Sequence, residues 1–196
     1  MGANATSFGL TLPQRGVFFG LGSLADMVRM AHEADRSGLF DSVWVGDSLT
    51  LKSRPDSIAL LGGLATATER VKLGVGCMAT FSVRDPLVFA YQWASLDLLS
   101  QGRMLLAACT GLAGASASEG AYWGVSDAER PARLAENMEI CRRLWAEENV
   151  TFKGKFRAFE NLTIEPRPVQ QPCPIWIAAN PRQEKFVDGV MRRVAN

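Results

Sequence analysis

"RMLLAACTG" (Arg103–Gly111) runs apolar from Met104 to Cys109 with no polar residue in between. A strand buried on one face alternates apolar and polar side chains, so an unbroken run reads as a strand covered on both faces, as in a parallel sheet flanked by helices. Upstream, Pro86 to Leu99 reads as a helix with proline in its first turn, and "VKLGVGCMAT" (Val71–Thr80) as the strand before it. Earlier still, "DSVWVGDS" (Asp41–Ser48) is a strand, followed by a helix from Asp56, its cap, to Arg70. The first unit is a short strand, Phe8 to Leu12, closed by Pro13; its helix opens on a Ser23–Asp26 capping box and stops at Gly38. Downstream, Arg130 to Glu148 is a long helix with Leu134, Met138, Cys141, Leu144 and Trp145 on one stripe. "TFKGKFRAFENLTIEPRPVQQP" reads as irregular, and Ile175 to Ala179 as a fifth strand leading into a helix with Pro181 near its first turn and Phe186, Val187 and Val190 on its inner stripe.

Alternation of strand and helix through five strands predicts an α/β protein with right-handed crossovers. Two architectures satisfy it: an open doubly wound sheet, or part of a (β/α)8 barrel. No internal repeat or linker divides residues 1–196, which read as one domain.

The 196 residues are 47% hydrophobic and 21% charged, enough for one sizeable core, and carry a net charge of +1 with both signs interspersed. Such a chain has no field for nucleic acid or an anionic membrane surface, which points to small-molecule partners. Cys77, Cys109, Cys141 and Cys173 are widely spaced and His32 is the single histidine, so no zinc set forms, and the thiols read as those of a cytoplasmic protein. The first residues lack a basic region followed by an apolar run. The myristoylation-like MGANAT and the sequons at Asn4, Asn149 and Asn161 read as chance matches and potential sites only.

"GLGSLA" (Gly20–Ala25) imitates a dinucleotide fingerprint but follows a strand already ended at Pro13, so it reads as a loop and helix cap. The strand ends are more informative, because barrels of this kind bind ligands at the carboxyl ends of their strands. Those ends read Pro13-Gln14, Asp47-Ser48, Gly76-Cys77-Met78, Cys109-Thr110-Gly111 and Ala178-Ala179-Asn180. Small residues dominate the last three, which lets a flat ligand lie against backbone. They equally suit tight strand-to-loop turns. No Ser-His-Asp set, carboxylate pair or Walker loop is present, so redox chemistry would come from a bound cofactor.

With these elements in order, the chain resembles the luciferase-like flavin-dependent monooxygenases, the family that includes bacterial luciferase and the deazaflavin-dependent dehydrogenases. The resemblance is carried by "FGLTLP", "ADRSGLFDSVWVGDS", "LATATERVKLGVGCMA", "RDPLVFAYQWASLDLLSQGRM", "RLAENMEICRRLW" and "FENLTIEPRPVQQPCPIWIAAN". It implies a luciferase-like (β/α)8 barrel, here its first five strand-helix units, holding reduced FMN or the deazaflavin coenzyme F-420 at the strand ends. It also implies a bulge after the third strand with a non-prolyl cis peptide at Gly76-Cys77 or Cys77-Met78, backing the middle ring of the flavin. Cys109, in a shared Cys-x-Gly-Leu pattern with Thr110 and Gly111 beside it, matches the reactive thiol of luciferase, and Ala178, Ala179 and Asn180 match the fifth-strand part of the cofactor site. Ser48 stands where many members carry histidine and can donate a hydrogen bond but not replace imidazole in proton transfer. Leu112 stands where the sugar-phosphate dehydrogenase branch carries glutamate, which counts against that branch.

The activity implied is oxidation of a small organic substrate by a monooxygenase using reduced FMN and O2. The alternatives are hydride transfer with the deazaflavin, and a shortened homologue that binds flavin without catalysis. An open sheet of five strands leaves an edge and an inner face bare, so a homo-oligomer is expected.

Overall fold

The computed structural model describes residues 6–111 and 117–178. Strands β1 (Gly9–Thr11), β2 (Ser42–Val45), β3 (Lys72–Met78) and β4 (Met104–Ala108) lie side by side in chain order, all parallel, and β7 (Ile175–Ile177) extends the sheet beside β4. A doubly wound sheet reverses its strand order at a switch point; uninterrupted winding in one direction is that of a barrel.

The crossovers are α1 (Leu24–Ser37), α2 (Ser57–Ala67) and α3 (Pro86–Leu99), while α4 (Ala117–Ala121) and α5 (Arg130–Ala146) follow β4. Their caps are those expected: Ser23 and Asp26 form a reciprocal box, and Asp56 Oδ1 accepts from Ala59 N at 3.0 Å. "VFF" of the fingerprint-like stretch belongs to a 3-10 turn (Gln14–Phe19) ended by Gly20 at φ 70°, so that stretch is a loop and cap. Consecutive helices pack side by side, and their layer buries Val43, Val45, Leu73, Val75, Leu106 and Ala108 from the sheet. Trp145 of α5 is 1% exposed, and its Nε1 donates to Ala90 O of α3 at 2.9 Å.

One expectation needs correcting. The segment read as irregular contains an antiparallel hairpin, β5 (Val150–Lys153) with β6 (Ala158–Leu162). Its signal is the brief alternation of Val150 and Phe152, both buried, between exposed neighbours. Phe152 stacks on Phe159 at 5.8 Å, and the turn is fastened to α5 because Glu136 accepts from the amides of Lys155, Phe156 and Arg157.

The amino-end side of the sheet is held by buried polar groups. Arg103 donates to Ser100 O, Thr68 Oγ1, Val71 O, Ala65 O and Thr68 O at 2.7–3.0 Å. Asp35 accepts from the amides of Glu69, Arg70 and Val71, and Asp97 from Gln170, which also donates to Met104 O. The inner face of the sheet is filled by indoles. Trp44 lies across Gly74, where a Cβ would run into its ring, and meets Trp176 with ring centroids 5.5 Å apart.

Candidate functional site

Buried polar side chains stitch the carboxyl ends of the strands into a rim. Gln14, after β1, donates from Nε2 to Gly46 O at 3.0 Å and to Pro55 O at 3.4 Å, and accepts from Gly46 N at 2.6 Å. Asp47, after β2, accepts from Thr80 N and Oγ1 at 2.8 and 2.6 Å and from Ser57 Oγ at 2.8 Å, and pairs with Arg84 at 3.2 Å. Arg130, on the first turn of α5, donates to Thr110 O after β4 at 2.6 Å and to Ala79 O after β3 at 2.7 Å.

Glu119 of α4 reaches back to the loop after β2, where its Oε1 accepts from Leu49 N at 2.6 Å, Thr50 N at 2.8 Å and Ser48 Oγ at 3.1 Å. Burial works against its charge, but the loop amides and the Ser48 hydroxyl outweigh it and hold the carboxyl below its ordinary value of 4.5. A carboxylate with a depressed folded pKa stabilises fully above its unfolded value and loses that contribution as pH falls through the folded one. The stability gap between the native chain and Glu119→Ala is therefore expected to be full above the ordinary carboxylate value of 4.5 and to shrink as pH falls below it towards the lower folded value, read from urea midpoints across pH. A gap independent of pH would contradict the carboxylate's role.

The rim surrounds most of the residues expected at the site. The peptide Gly76–Cys77 is cis, and the pairing of β3 with β4 shifts between Gly76 and Met78, so the bulge lies where it was expected. Gly76 is exposed and Cys77 half-buried, with Thr110 and Gly111 half-buried after β4. Ala178 is exposed and donates its amide to Ala108 O at 2.9 Å. Met78 points the other way, fully buried in the core. Ser48 is 7% exposed; its hydroxyl donates to Glu119 and accepts from Lys52 N at 3.0 Å, which fastens the loop. Ala179, Asn180 and Leu112 lie outside the described residues. Gly76, Ala107 and Ala178 leave this stretch of inner wall without a side chain larger than methyl, while the Arg54 guanidinium covers Gly46 beside it, which leaves room for a flat ring.

The thiols of Cys77, in the β3 bulge, and Cys109, just after β4, interact across the two strands. The neighbouring Cys109 thiol lowers Cys77 to about 7, against its burial. Cys109, 7% exposed, is pushed up by the neighbouring Cys77 thiol and by burial. Burial also raises Cys141, and raises Cys173 to about 12. Thiolate is the nucleophile, so alkylation by iodoacetamide is expected first at Cys77, with a rate rising through a midpoint near pH 7. Peptide mapping that finds Cys109 labelled first would reverse the assignment.

Neither Glu119 nor Arg130 stood out in the sequence. Their partners lie far along the chain, and the hint of an arginine beside Pro131 at a helix start is slight. No group of three or more His, Cys, Asp or Glu side chains able to hold a metal ion occurs among the described residues, and no helix among them is long and apolar enough to cross a membrane.

The chain is similar in sequence and fold to known proteins. The chain is 36% identical over 160 residues to the F420-dependent glucose-6-phosphate dehydrogenase of Amycolatopsis mediterranei, covering 79% of this chain and 47% of that one. It is 28% identical over 165 residues to the oxygenase component of the flavin-dependent trigonelline monooxygenase of Acinetobacter baylyi, covering 82% and 45%. The chain thus spans about half the length of the curated relatives it matches. The solved structure of monooxygenase RslO1 from Streptomyces bottropensis superposes with a TM-score of 0.79 at 27% identity, covering 97% of this chain and 66% of that one. Similarity to sugar-phosphate dehydrogenases runs against what Leu112 alone implied. The model of the family described as luciferase-like monooxygenase matches residues 6–185, and with its barrel winding and strand-end bulge the chain belongs to that family.

Proposed function

We propose that the carboxyl-end wall holds the ring of reduced FMN or of coenzyme F-420 for an oxidoreductase reaction on a small organic substrate. The observation that carries this reading is the bulged Gly76–Cys77 segment, exposed on the inner face beside Gly46, Ala107 and Ala178. Gly76 and Cys77 would back the ring, Thr110, Gly111 and Ala178 would border it, and Ala179 and Asn180 would continue that border. When bound, the cofactor supplies two-electron chemistry, with O2 in the monooxygenase reading and by hydride transfer in the deazaflavin reading. Monooxygenation with FMN is the first reading; the similarity to F420-dependent dehydrogenases supports the second.

The chain's own part is to orient and to exclude water. Trp44 and Trp176 close the wall on the amino side, and the Gln14, Asp47 and Arg130 bonds fix the loop ends around it. The Cys77 and Cys109 thiols face each other at the edge of the wall, with Cys77 the more readily ionised. Ser48 acts through the loop it fastens.

The test is titration of the chain with reduced FMN and, separately, with coenzyme F-420, followed by absorbance and fluorescence. Saturable binding of one and its weakening by about tenfold or more in Gly76→Val, whose side chain would occupy the wall, is the expected result. No binding of either at saturating concentration would sink the proposal.

We further propose self-association, supported among the described residues by Trp176, 53% exposed on the inner face. Sedimentation of a monodisperse monomer would contradict it.

A further inference from the structure

Arg54, in the loop between β2 and α2, is the unexplained charge of the barrel mouth. Its guanidinium lies on Gly46, where a Cβ would run into Nη1. Along β2, Ser42, Trp44 and Gly46 share the inner face, so Arg54 follows the Trp44 indole on that face. Val45 pairs with Val75, which puts Gly46 next to Gly76. The guanidinium therefore stands one strand away from the bulged segment.

It is held there without bonds of its own. Gln14 clamps Gly46 and Pro55 on either side, and Asp56, next in the chain, is tied to Arg84 at 3.0 Å. Arg54 itself makes no hydrogen bond or ion pair among the described residues, and its Nε is buried without a partner. Neighbouring acids are committed elsewhere: Asp47 to Thr80, Ser57 and Arg84, and Glu119 to the loop amides. Burial pushes the Arg54 pKa below its ordinary value, and Arg15 adds to the effect against Asp47 and Glu119. Arginine nonetheless stays charged. A half-buried, pre-positioned cation without a protein partner is a costly arrangement for stability and a favourable one for receiving an anion.

We propose that Arg54 is the anion-recognition point of this mouth and that the substrate carries a carboxylate or phosphate group. The fork geometry of guanidinium suits either anion bidentately. This inference rests on the reading of Gly76–Cys77 as the backing of the ring, since that places the cation beside the ring and not at a cofactor's phosphate tail.

The experiment compares the native chain with Arg54→Met and Arg54→Lys. Inorganic phosphate and acetate serve as anion probes, followed by thermal shift and calorimetry without cofactor, and affinity for reduced FMN and coenzyme F-420 is measured separately. Expected are saturable binding of an anion probe, its loss by about tenfold or more in Arg54→Met with partial retention in Arg54→Lys, and cofactor affinity changed less than about twofold. The melting temperature of Arg54→Met should be unchanged or raised, because no protein bond is lost. Equal anion binding in all three proteins would overturn the proposal, and so would a lowered melting temperature in Arg54→Met, which would make Arg54 structural. Cofactor affinity that falls with anion affinity would assign the cation to the cofactor's phosphate and overturn the substrate assignment. Because the anion arm needs no cofactor, failure of cofactor binding alone counts against the flavin reading and leaves the anion arm to be read separately.

Discussion

Replacing Arg103 with methionine is expected to lower the unfolding free energy by about 4 kcal/mol or more, enough to remove most of the stability of an ordinary domain. Methionine can occupy the volume of the arginine stem, so the loss is not one of packing. It lies in the acceptors left behind. Arg103 is 8% exposed and its guanidinium serves the carbonyls of Ala65 and Thr68 at the end of α2, Val71 before β3, and Ser100 after α3. Helix ends leave carbonyls without intrahelical donors, and each buried acceptor stripped of its partner costs about 1–3 kcal/mol. Arg103→Lys keeps the charge but not the fork, and is expected to recover less than half of the loss. Urea unfolding followed by circular dichroism measures both variants, and an unchanged midpoint in Arg103→Met would show that the carbonyls find other donors.

Trp145→Ala is expected to cost about 3–5 kcal/mol, for a different reason. The indole is fully buried between α3 and α5, so truncation leaves a cavity lined by a core that relaxes only in part. It also strips Ala90 O of its donor. Trp145→Phe separates these contributions, because it retains most of the volume and loses mainly the hydrogen bond, worth about 1 kcal/mol. If the two variants unfolded at the same urea concentration, the hydrogen bond would dominate and the cavity argument would fail.

What could be read in advance follows from how local each cause is. Two-sided burial imposes unbroken apolar runs, so Met104–Ala108 could be recognised within its own stretch. The Ser23–Asp26 box and the Asp56 cap act across three residues, and they too were legible. Choosing between barrel and doubly wound sheet required strand order, which no single stretch encodes; there the family resemblance supplied the answer. The hairpin escaped because its strands are only four and five residues long and their alternation is brief.

The rim was the least legible part. Glu119 meets Ser48 across 71 positions and Arg130 meets Ala79 across 51, so their roles exist only once the sheet has brought strand ends together. Cys77 and Cys109 likewise looked like separate thiols until the register of β3 on β4 joined them. Arg54 read as an ordinary loop charge, since the absence of a partner is a property of the folded surroundings.

The contact of Trp44 with Trp176 has an optical consequence. Two indoles with centroids 5.5 Å apart and planes tilted by 38° are close enough for their excited states to couple, and the tilt makes the coupled pair chiral. One ring comes from β2 and the other from β7, so the signal depends on how far the sheet curls across the strands between them. Exciton-type circular dichroism, absent in Trp44→Phe, would make the curvature of this sheet visible in solution, with no label added.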